Sequence, residues 1–358
     1  MSLRYDALVL GAGQAGLATA YHLQQRGLHF QVLEAGHRPV GSWPLHYKSL
    51  KLFSPARHAA LPGLPFPGDP ERYPSRDEVV AYLNAYAAHF QFPVVTAAEA
   101  TQVLPDDEGF RVMTADGQTF FSRTVIAATG TYRRPFIPAV PSQELFRGTI
   151  LHSLAYQEPS PFSGQRVLVV GAGNSAVQIA VELAQVARVS LAARTPVQFT
   201  PQRILGRDIH DWITWLRVDQ LTLGHIRRLP SPRNVFDHGV YRAAFRQGRL
   251  DQRAMFLQFT VQGVVWPGRQ EEAVDTVVYA TGYRANLDFL RGTGALDRRG
   301  EPIQRLGVSR TVPGLYFVGL SGQRALASAT LRGAGQDAAL VVGQMTKRSN
   351  AREQQFSH

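Results

Sequence analysis

The sequence contains no cysteine. That excludes disulfide frameworks, thiolate metal sites, cysteine nucleophiles and a redox-active Cys-x-x-Cys pair. Any redox chemistry must therefore come from a bound group. Lysine is almost absent as well: it occurs only at positions 48, 51 and 347, so arginine carries nearly all the positive charge. No apolar run approaches the roughly 18 residues needed to cross a membrane. The first apolar strand, Ala7 to Leu10, begins so early that it leaves no room for a signal peptide. The histidines form no His-Glu-x-x-His or similar ligand set, so no metal is expected. A soluble, cytoplasmic and redox-inert polypeptide is the starting expectation.

What is present is a chain of 358 residues, 44% hydrophobic and 18% charged, able to bury a sizeable core. At about 150 residues per domain, this length fits two domains or one large one. The formal charge is +11, from 38 Lys and Arg against 27 Asp and Glu. The basic residues are scattered and accompany no nucleic-acid recognition motif, so no nucleic-acid partner is expected. Attraction of phosphate-bearing anions and a background bias towards arginine both remain as explanations.

Two segments resemble each other. Ala7-Leu8-Val9-Leu10 leads into Gly11-Ala12-Gly13-Gln14-Ala15-Gly16, then an apolar stretch from Leu17 to Leu23. Val167-Leu168-Val169-Val170 leads into Gly171-Ala172-Gly173-Asn174-Ser175-Ala176, then Val177 to Leu183. Each reads as a buried strand, a tight glycine turn and a helix, the context in which Gly-x-Gly-x-x-Gly binds a dinucleotide. The first glycine permits the turn and the second lets a pyrophosphate approach the backbone. Gly16 or Ala176 at the third position allows close helix–strand packing. The pyrophosphate then sits on the helix N-terminus.

Twenty-three positions beyond the first glycine of each copy, the charges are opposite: Glu34 in the first and Arg194 in the second. A carboxylate accepts hydrogen bonds from a free ribose and repels a 2′-phosphate, whereas arginine suits that phosphate. The first site is thus expected to hold FAD or NAD and the second NADPH, with Thr195 adding a hydroxyl donor. The alternative for Arg194 is an exposed strand-end charge.

Val125 to Tyr132 and Val277 to Tyr283 also match, both apolar strands ending in Ala-Thr-Gly. The second lies beyond the second glycine turn and reads as the chain's return to the first domain. The expected fold is therefore α/β, with two nested Rossmann-like dinucleotide-binding domains. An NAD(P)H domain at 161–282 is inserted into a split FAD domain at 1–160 and 283–345, and 346–358 is a frayed polar tail. Between positions 39 and 74 lie eight prolines together with Trp43, Tyr47, Phe53, Phe66 and Tyr73, which reads as an ordered loop. A helix capped by Ser75 follows over residues 75–90. Ile209, Trp212, Ile213 and Leu216 keep helical spacing, as a core-facing helix, a substrate-channel lid or a membrane-surface helix. Ten arginines against five aspartates between 203 and 253 make this region basic.

Between the two glycine turns stands Phe146-Arg147-Gly148-Thr149-Ile150-Leu151-His152-Ser153-Leu154-Ala155-Tyr156. This F-x-G-x-x-x-H-S-x-x-Y pattern resembles that of the flavin-containing monooxygenases, and the resemblance covers nearly the whole chain. Gly41-Ser42-Trp43, Tyr47-Lys48-Ser49, Leu64-Pro65-Phe66-Pro67 and both Ala-Thr-Gly strands fall in family order. The resemblance implies FAD reduced by NADPH, capture of O2 as a C4a-hydroperoxide, and oxygen transfer to a sulfide, an amine or a ketone in a Baeyer–Villiger reaction. It implies cofactor contacts from Gly11, Gly13, Gln14, Ala15, Gly16, Glu34, Ala35, Gly41, Trp43, Val103, Thr129 and Gly130. For the second site and the C-terminal part it implies Gly171, Gly173, Asn174, Ser175, Ala176, Arg194, Thr195, Thr281, Gly282, Gly319 and Thr330. Phe146, Gly148, His152 and Tyr156 take the family motif's role of coupling NADP binding to catalysis. Four apart, His152 and Tyr156 are expected on one helix face, and a satisfied interface histidine is the alternative for His152.

Phe53 stands where many members have an active-site asparagine. It donates no hydrogen bond, so greater peroxide leakage is expected. Tyr156, where the Baeyer–Villiger pattern has tryptophan, favours heteroatom oxidation. The competing readings are an FAD reductase or oxidase that passes electrons to a quinone, another acceptor or O2, and a flavoprotein sensor without useful turnover. The expected partners are O2 and a small substrate, with a homodimer expected only from the commonness of cyclic dimers.

Overall fold

The computed structural model describes residues 4–216 and 234–356. Two sheets organise it. The larger has nine strands. Its path runs Gln304–Arg305, Val308–Ser309, Leu315–Phe317, Thr119–Ala127, Arg4–Leu10, Phe30–Leu33 and Val94–Val95, and the hairpin Ala100–Asp106 and Gly109–Thr114 pairs onto Thr119–Ala127. The smaller has five strands, all parallel, in the order Leu250–Ala254, Arg188–Ala193, Arg166–Val170, Thr276–Tyr279, Thr149–His152. Strands before residue 128 and after 303 build the first sheet; the strands of the second all fall between 149 and 279, where three small sheets of two or three strands also lie. The second unit is nested in the first.

The parallel strands are apolar because both faces are covered. Ala7 and Val9 point to one side, among Leu17 and Leu23 of the helix Gln14–Gln24, Leu83 and Tyr86 of the helix Arg76–His89, and Val341 of the C-terminal helix. Leu8 and Leu10 alternate to the other side, among Val103, Phe110 and Leu290. The helix Arg76–His89 begins with a capping box, in which Ser75 and Glu78 satisfy each other's backbone.

The two Ala-Thr-Gly segments have the same structural place. Each lies beside the strand that feeds a glycine turn. A Cβ on Gly11 would lie 2.7 Å from the Ala128 carbonyl oxygen, and one on Gly171 would lie 2.5 Å from that of Ala280. Val277 to Tyr279 therefore belongs to the second sheet, and the chain returns just beyond it. There Tyr283–Arg284 pairs antiparallel with Arg134–Pro135, so the outgoing and returning crossings are zipped together.

Three expectations need correction. Thr149–His152 is a strand of the second sheet, although it precedes position 161. Residues 346–356 are not a frayed tail, because the helix Leu331–Phe356 runs through them. The helix Ile209–Trp215 is not core-facing: Trp215 and Leu216 are exposed, and among its residues only His210 is buried. Polar contacts, described below, hold that helix in place. Among the described residues, no helix is long and apolar enough to cross a membrane.

Candidate functional site

A cleft opens at the carboxyl ends of the first sheet's central strands. Four strand ends contribute, through Leu10 and Gly11, Leu33 to Ala35, Ala128 to Gly130, and Gly319. In open parallel sheets this is where ligands bind. Glycine is required around the turn for reasons of space. A Cβ on Gly16 would fall 1.8 Å from the Gly11 carbonyl oxygen, so this glycine brings helix and turn together rather than lining the cleft. A Cβ on Gly41 would fall 2.7 Å from Gly13 Cα. The helix Gln14–Gln24 starts at Gly13 with no side-chain cap, which leaves first-turn amides for an anion.

Glu34 is buried at the end of its strand. Its Oε2 accepts the Ala12 N–H (2.6 Å) and its Oε1 the Gly36 N–H (2.7 Å), while Arg133 Nη2 lies 3.7 Å from Oε1. The carboxylate is thus fixed in orientation with acceptor capacity to spare.

Gln14, Ala15, Ala35, Gly41, Thr129 and Gly130 line this cleft, along with Gly13 and Glu34. Trp43 does not line it but donates from Nε1 to Gln14 Oε1 (2.7 Å), and Gln14 Nε2 in turn donates to the Ala329 carbonyl (3.2 Å). Two expected contacts are displaced. Val103 is fully buried in the core, and Ala98, Glu99 and Ala100 form that wall instead. Thr330 caps the C-terminal helix, its hydroxyl accepting from the Gly333 N–H, while its neighbour Ala329 lines the cleft. Sequence reasoning missed Ser42, Tyr132, Arg133, Asn286 and Phe289, which also line it. Tyr132 and Arg133 follow an Ala-Thr-Gly strand directly, so a signal was present. Asn286 and Phe289 arrive only through the return crossing.

The second glycine turn begins the helix Asn174–Leu183, again without a side-chain cap at Gly173. The Gly173 φ of −91° suits any residue, and a Cβ there would meet nothing within 4 Å. Neither backbone strain nor packing requires glycine here. Ala176 packs beneath the turn, and Ser175 stays in the first turn of the helix. Asn174 Oδ1 is already occupied, accepting the Phe236 N–H (3.2 Å). Arg194 and Thr195 are exposed just past the strand Arg188–Ala193.

His152 and Tyr156 do not share a helix. His152 ends a strand, and Tyr156 lies in the irregular segment after it. Both His152 ring nitrogens bond the backbone. Nδ1 accepts the Leu154 N–H (3.1 Å), so Nε2 carries the proton and donates to the Gly282 carbonyl (3.0 Å). Burial lowers its pKa, against the opposing pull of that carbonyl. It is a neutral clamp between the motif and the second Ala-Thr-Gly segment, where Thr281 Oγ1 also donates to the Phe136 carbonyl. Tyr156 is fully buried and donates to Glu182 Oε2 (2.8 Å); burial first, and then that carboxylate, push its phenol pKa up. Phe53 stacks on Phe236 (5.3 Å, 19°) and His210 (6.0 Å, 27°).

Two nested sheets, each with parallel central strands that feed an uncapped glycine turn, define a two-dinucleotide oxidoreductase. Comparison with known proteins agrees. The model of the pyridine nucleotide-disulphide oxidoreductase family matches residues 8–218. A flavin-containing monooxygenase from Stenotrophomonas maltophilia superposes with a TM-score of 0.86 at 31% identity, over 97% of this chain and 99% of that one. A double mutant of it, in which a Gln and a His become Arg and Thr, matches equally. An uncharacterised CzcO-like oxidoreductase of Geobacillus kaustophilus is 33% identical over 94% of this chain and 97% of its own length. The indole-3-pyruvate monooxygenase YUCCA1 of rice is 31% identical over 89% of this chain and 87% of its own. The chain belongs to the pyridine nucleotide-disulphide oxidoreductase family and, within it, to the flavin-containing monooxygenases. With no cysteine, it brings no thiol pair for disulfide reduction.

Proposed function

We propose that the protein is an NADPH-dependent FAD monooxygenase that inserts one oxygen atom of O2 into a small soft nucleophile, a sulfide or an amine, or into a ketone. The observation that carries this reading is the contrast between the two glycine turns. One has a buried carboxylate 23 positions on; the other has an exposed arginine at that offset, and its second glycine is one that the fold itself does not require.

Flavin, when bound, supplies hydride acceptance and oxygen activation. The chain supplies everything else. Glu34, oriented by two backbone amides, accepts from the adenosine ribose. Gly11, Gly13 and Gly41 keep the turn free of side chains so that the pyrophosphate can reach the helix amides. Ala15, Ala35, Thr129, Gly130 and Gly319 wall the same site, and Trp43 holds Gln14 in place. Gly171, Gly173 and Ser175 receive the second pyrophosphate. Arg194 and Thr195 take the 2′-phosphate. His152 fixes the Gly282 peptide, and Tyr156 ties the linker to the second helix; both are positioning residues here. The enzyme acts in the cytoplasm, where NADPH is available.

Phe53 favours a second reading, in which much of the oxygen leaves as hydrogen peroxide. Its ring is committed to an aromatic stack and donates no hydrogen bond. One experiment decides between them. NADPH consumed, hydrogen peroxide released and sulfoxide formed are measured together with methyl phenyl sulfide as substrate. A substantial sulfoxide yield per NADPH supports the monooxygenase. Peroxide equal to NADPH, with no sulfoxide and no response to other sulfides, amines or ketones, supports the oxidase and rejects the leading proposal.

A further inference from the structure

One wall of the cleft stands in a backbone conformation that its own side chain disfavours. Seven described residues other than glycine have positive φ, and of these Ala329 alone lines the cleft, at a φ of 70°. The left-handed region disfavours a residue with a Cβ by about 10-fold. Such a conformation persists only where the surroundings impose it. The Ala329 carbonyl is committed as well, accepting from Gln14 Nε2 (3.2 Å) in the first turn of the helix Gln14–Gln24.

A buried polar network behind Ala329 imposes it, and no step above uses that network. Residues 320–330 form an irregular turn before the helix Leu331–Phe356. Ser328 Oγ accepts the N–H groups of Arg324 (3.1 Å) and Ala325 (3.2 Å), and the Ser328 N–H donates to the Ala325 carbonyl (3.1 Å). The Ala327 carbonyl accepts the Thr330 N–H (3.0 Å) and the Thr330 hydroxyl (2.6 Å). Ala329 is thus held between two anchored neighbours. The turn is in turn tied to the helix. Arg324 Nε donates to Asp337 Oδ1 (2.7 Å) and its Nη2 to Gln336 Oε1 (2.8 Å). Asp337 is fully buried, and Arg324 is only 7% exposed. Gly333 lies four positions before Asp337, on the same helix face. A Cβ on Gly333 would fall 2.1 Å from the Ala327 carbonyl oxygen. The helix face is therefore cut away at Gly333 to admit the turn and charged at Asp337 to hold it. A buried ion pair is often no more stable than an apolar pair of the same volume, so stability alone does not account for this one. What it adds is a directional bond.

We propose that the Arg324–Asp337 pair positions the flavin site: it holds Ala329 in the left-handed conformation and so keeps that wall of the cleft in its binding shape before the cofactor enters. This rests on the FAD reading of the first site. Both are positioning residues, since neither lines the cleft. Without the pair, the turn relaxes towards the conformations that alanine favours, and binding must then restore the left-handed one. The apparent Kd rises by the inverse of the fraction of chains in the binding shape. Glycine takes positive φ about as readily as negative, so with glycine at this position that factor disappears. The proposal therefore requires a coupling between the ion pair and the Cβ of Ala329.

The test is a double-mutant cycle on the flavin-loaded enzyme, which is diluted while released FAD is read by its fluorescence. Arg324→Met together with Asp337→Leu removes both charges, so that neither is left unpaired in the core. Arg324→Gln together with Asp337→Asn takes its place should that variant not fold. The expected result is a Kd for FAD raised about 10-fold. The same two substitutions in a chain already carrying Ala329→Gly raise it by less than about 2-fold. Hydrogen exchange of residues 324–329, read by mass spectrometry, quickens in the pair variant, while that of the strand Arg4–Leu10 does not. An unchanged Kd, an equal rise in both backgrounds, or unchanged exchange over 324–329 overturns the proposal. Should the unmodified enzyme bind no FAD, the flavin reading of the cleft fails, and the exchange rates still decide whether the pair holds the turn.

Discussion

At the scale of single residues, environment assigns opposite tasks to similar groups. Glu34 is buried and held by two amides, whereas Arg194 is exposed at a strand end. If Arg194 contacts a 2′-phosphate, Arg194→Gln removes a charge-assisted bond worth about 1.5–3 kcal/mol. The preference for NADPH over NADH should then fall by about 10- to 100-fold, read as the ratio of kcat/KM values. An unchanged ratio would reject the assignment. His46 carries a prediction about acid. Its ring contacts Trp43 and Tyr132, and burial, helped by Arg76, pushes its pKa from 6.5 to about 4. As pH falls, the unfolded chain takes up the proton first. Stability is therefore intact above pH 6.5 and is lost progressively down to about pH 4, by about 3 kcal/mol in full. His46→Phe keeps the ring contacts and should flatten the fall in Tm over that window; an equally steep fall contradicts this.

At the scale of the element, the two strand–turn–helix units separate glycines that the fold requires from one that it does not. Gly16 has the Gly11 carbonyl oxygen 1.8 Å from where its Cβ would sit, while nothing lies within 4 Å at Gly173. Gly16→Ala is expected to cost about 1–3 kcal/mol in thermal unfolding and to lower the flavin content of the purified protein. Gly173→Ala should leave stability within about 0.5 kcal/mol and raise the KM for NADPH. A Gly173→Ala variant with lost stability and normal KM would reverse the roles. The glycine motifs were legible in sequence because this packing is local, within one turn and its helix. The helix over 209–215 was misjudged for the opposite reason. Its apolar spacing implied a buried face, yet its anchors are Arg57, His58 and Tyr73, more than a hundred positions away.

At the scale of the whole molecule, the formal charge of +11 acts on anions before they bind. The KM for NADPH is expected to rise with ionic strength as the Debye length shrinks from about 30 Å at 0.01 M to about 10 Å at 0.1 M. A KM independent of salt would confine the charge to a solvated surface. Nesting is the other global feature. The motif around His152 belongs to the second sheet but bonds the Gly282 carbonyl, at the point where the chain turns back. His152 thus acts on the geometry of the crossing, and its neutral, doubly bonded ring explains why no proton transfer is assigned to it.

The sequence by itself determined the two strand–turn–helix units, the opposite charges 23 residues beyond each, the nesting order and the capped helix after Ser75. These follow from spacing, periodicity and turn chemistry, which act over a few residues and are written in order along the chain. Tertiary structure alone decided that Val103 faces the core while Ala98 to Ala100 wall the cleft, because that depends on how a hairpin lies against the sheet. It alone decided that His152 is a strand-end clamp. It alone brought Tyr73, Gln202, Asp208 and His210 together beside Phe53, since residues far apart in sequence meet only when both sheets have closed around their cores.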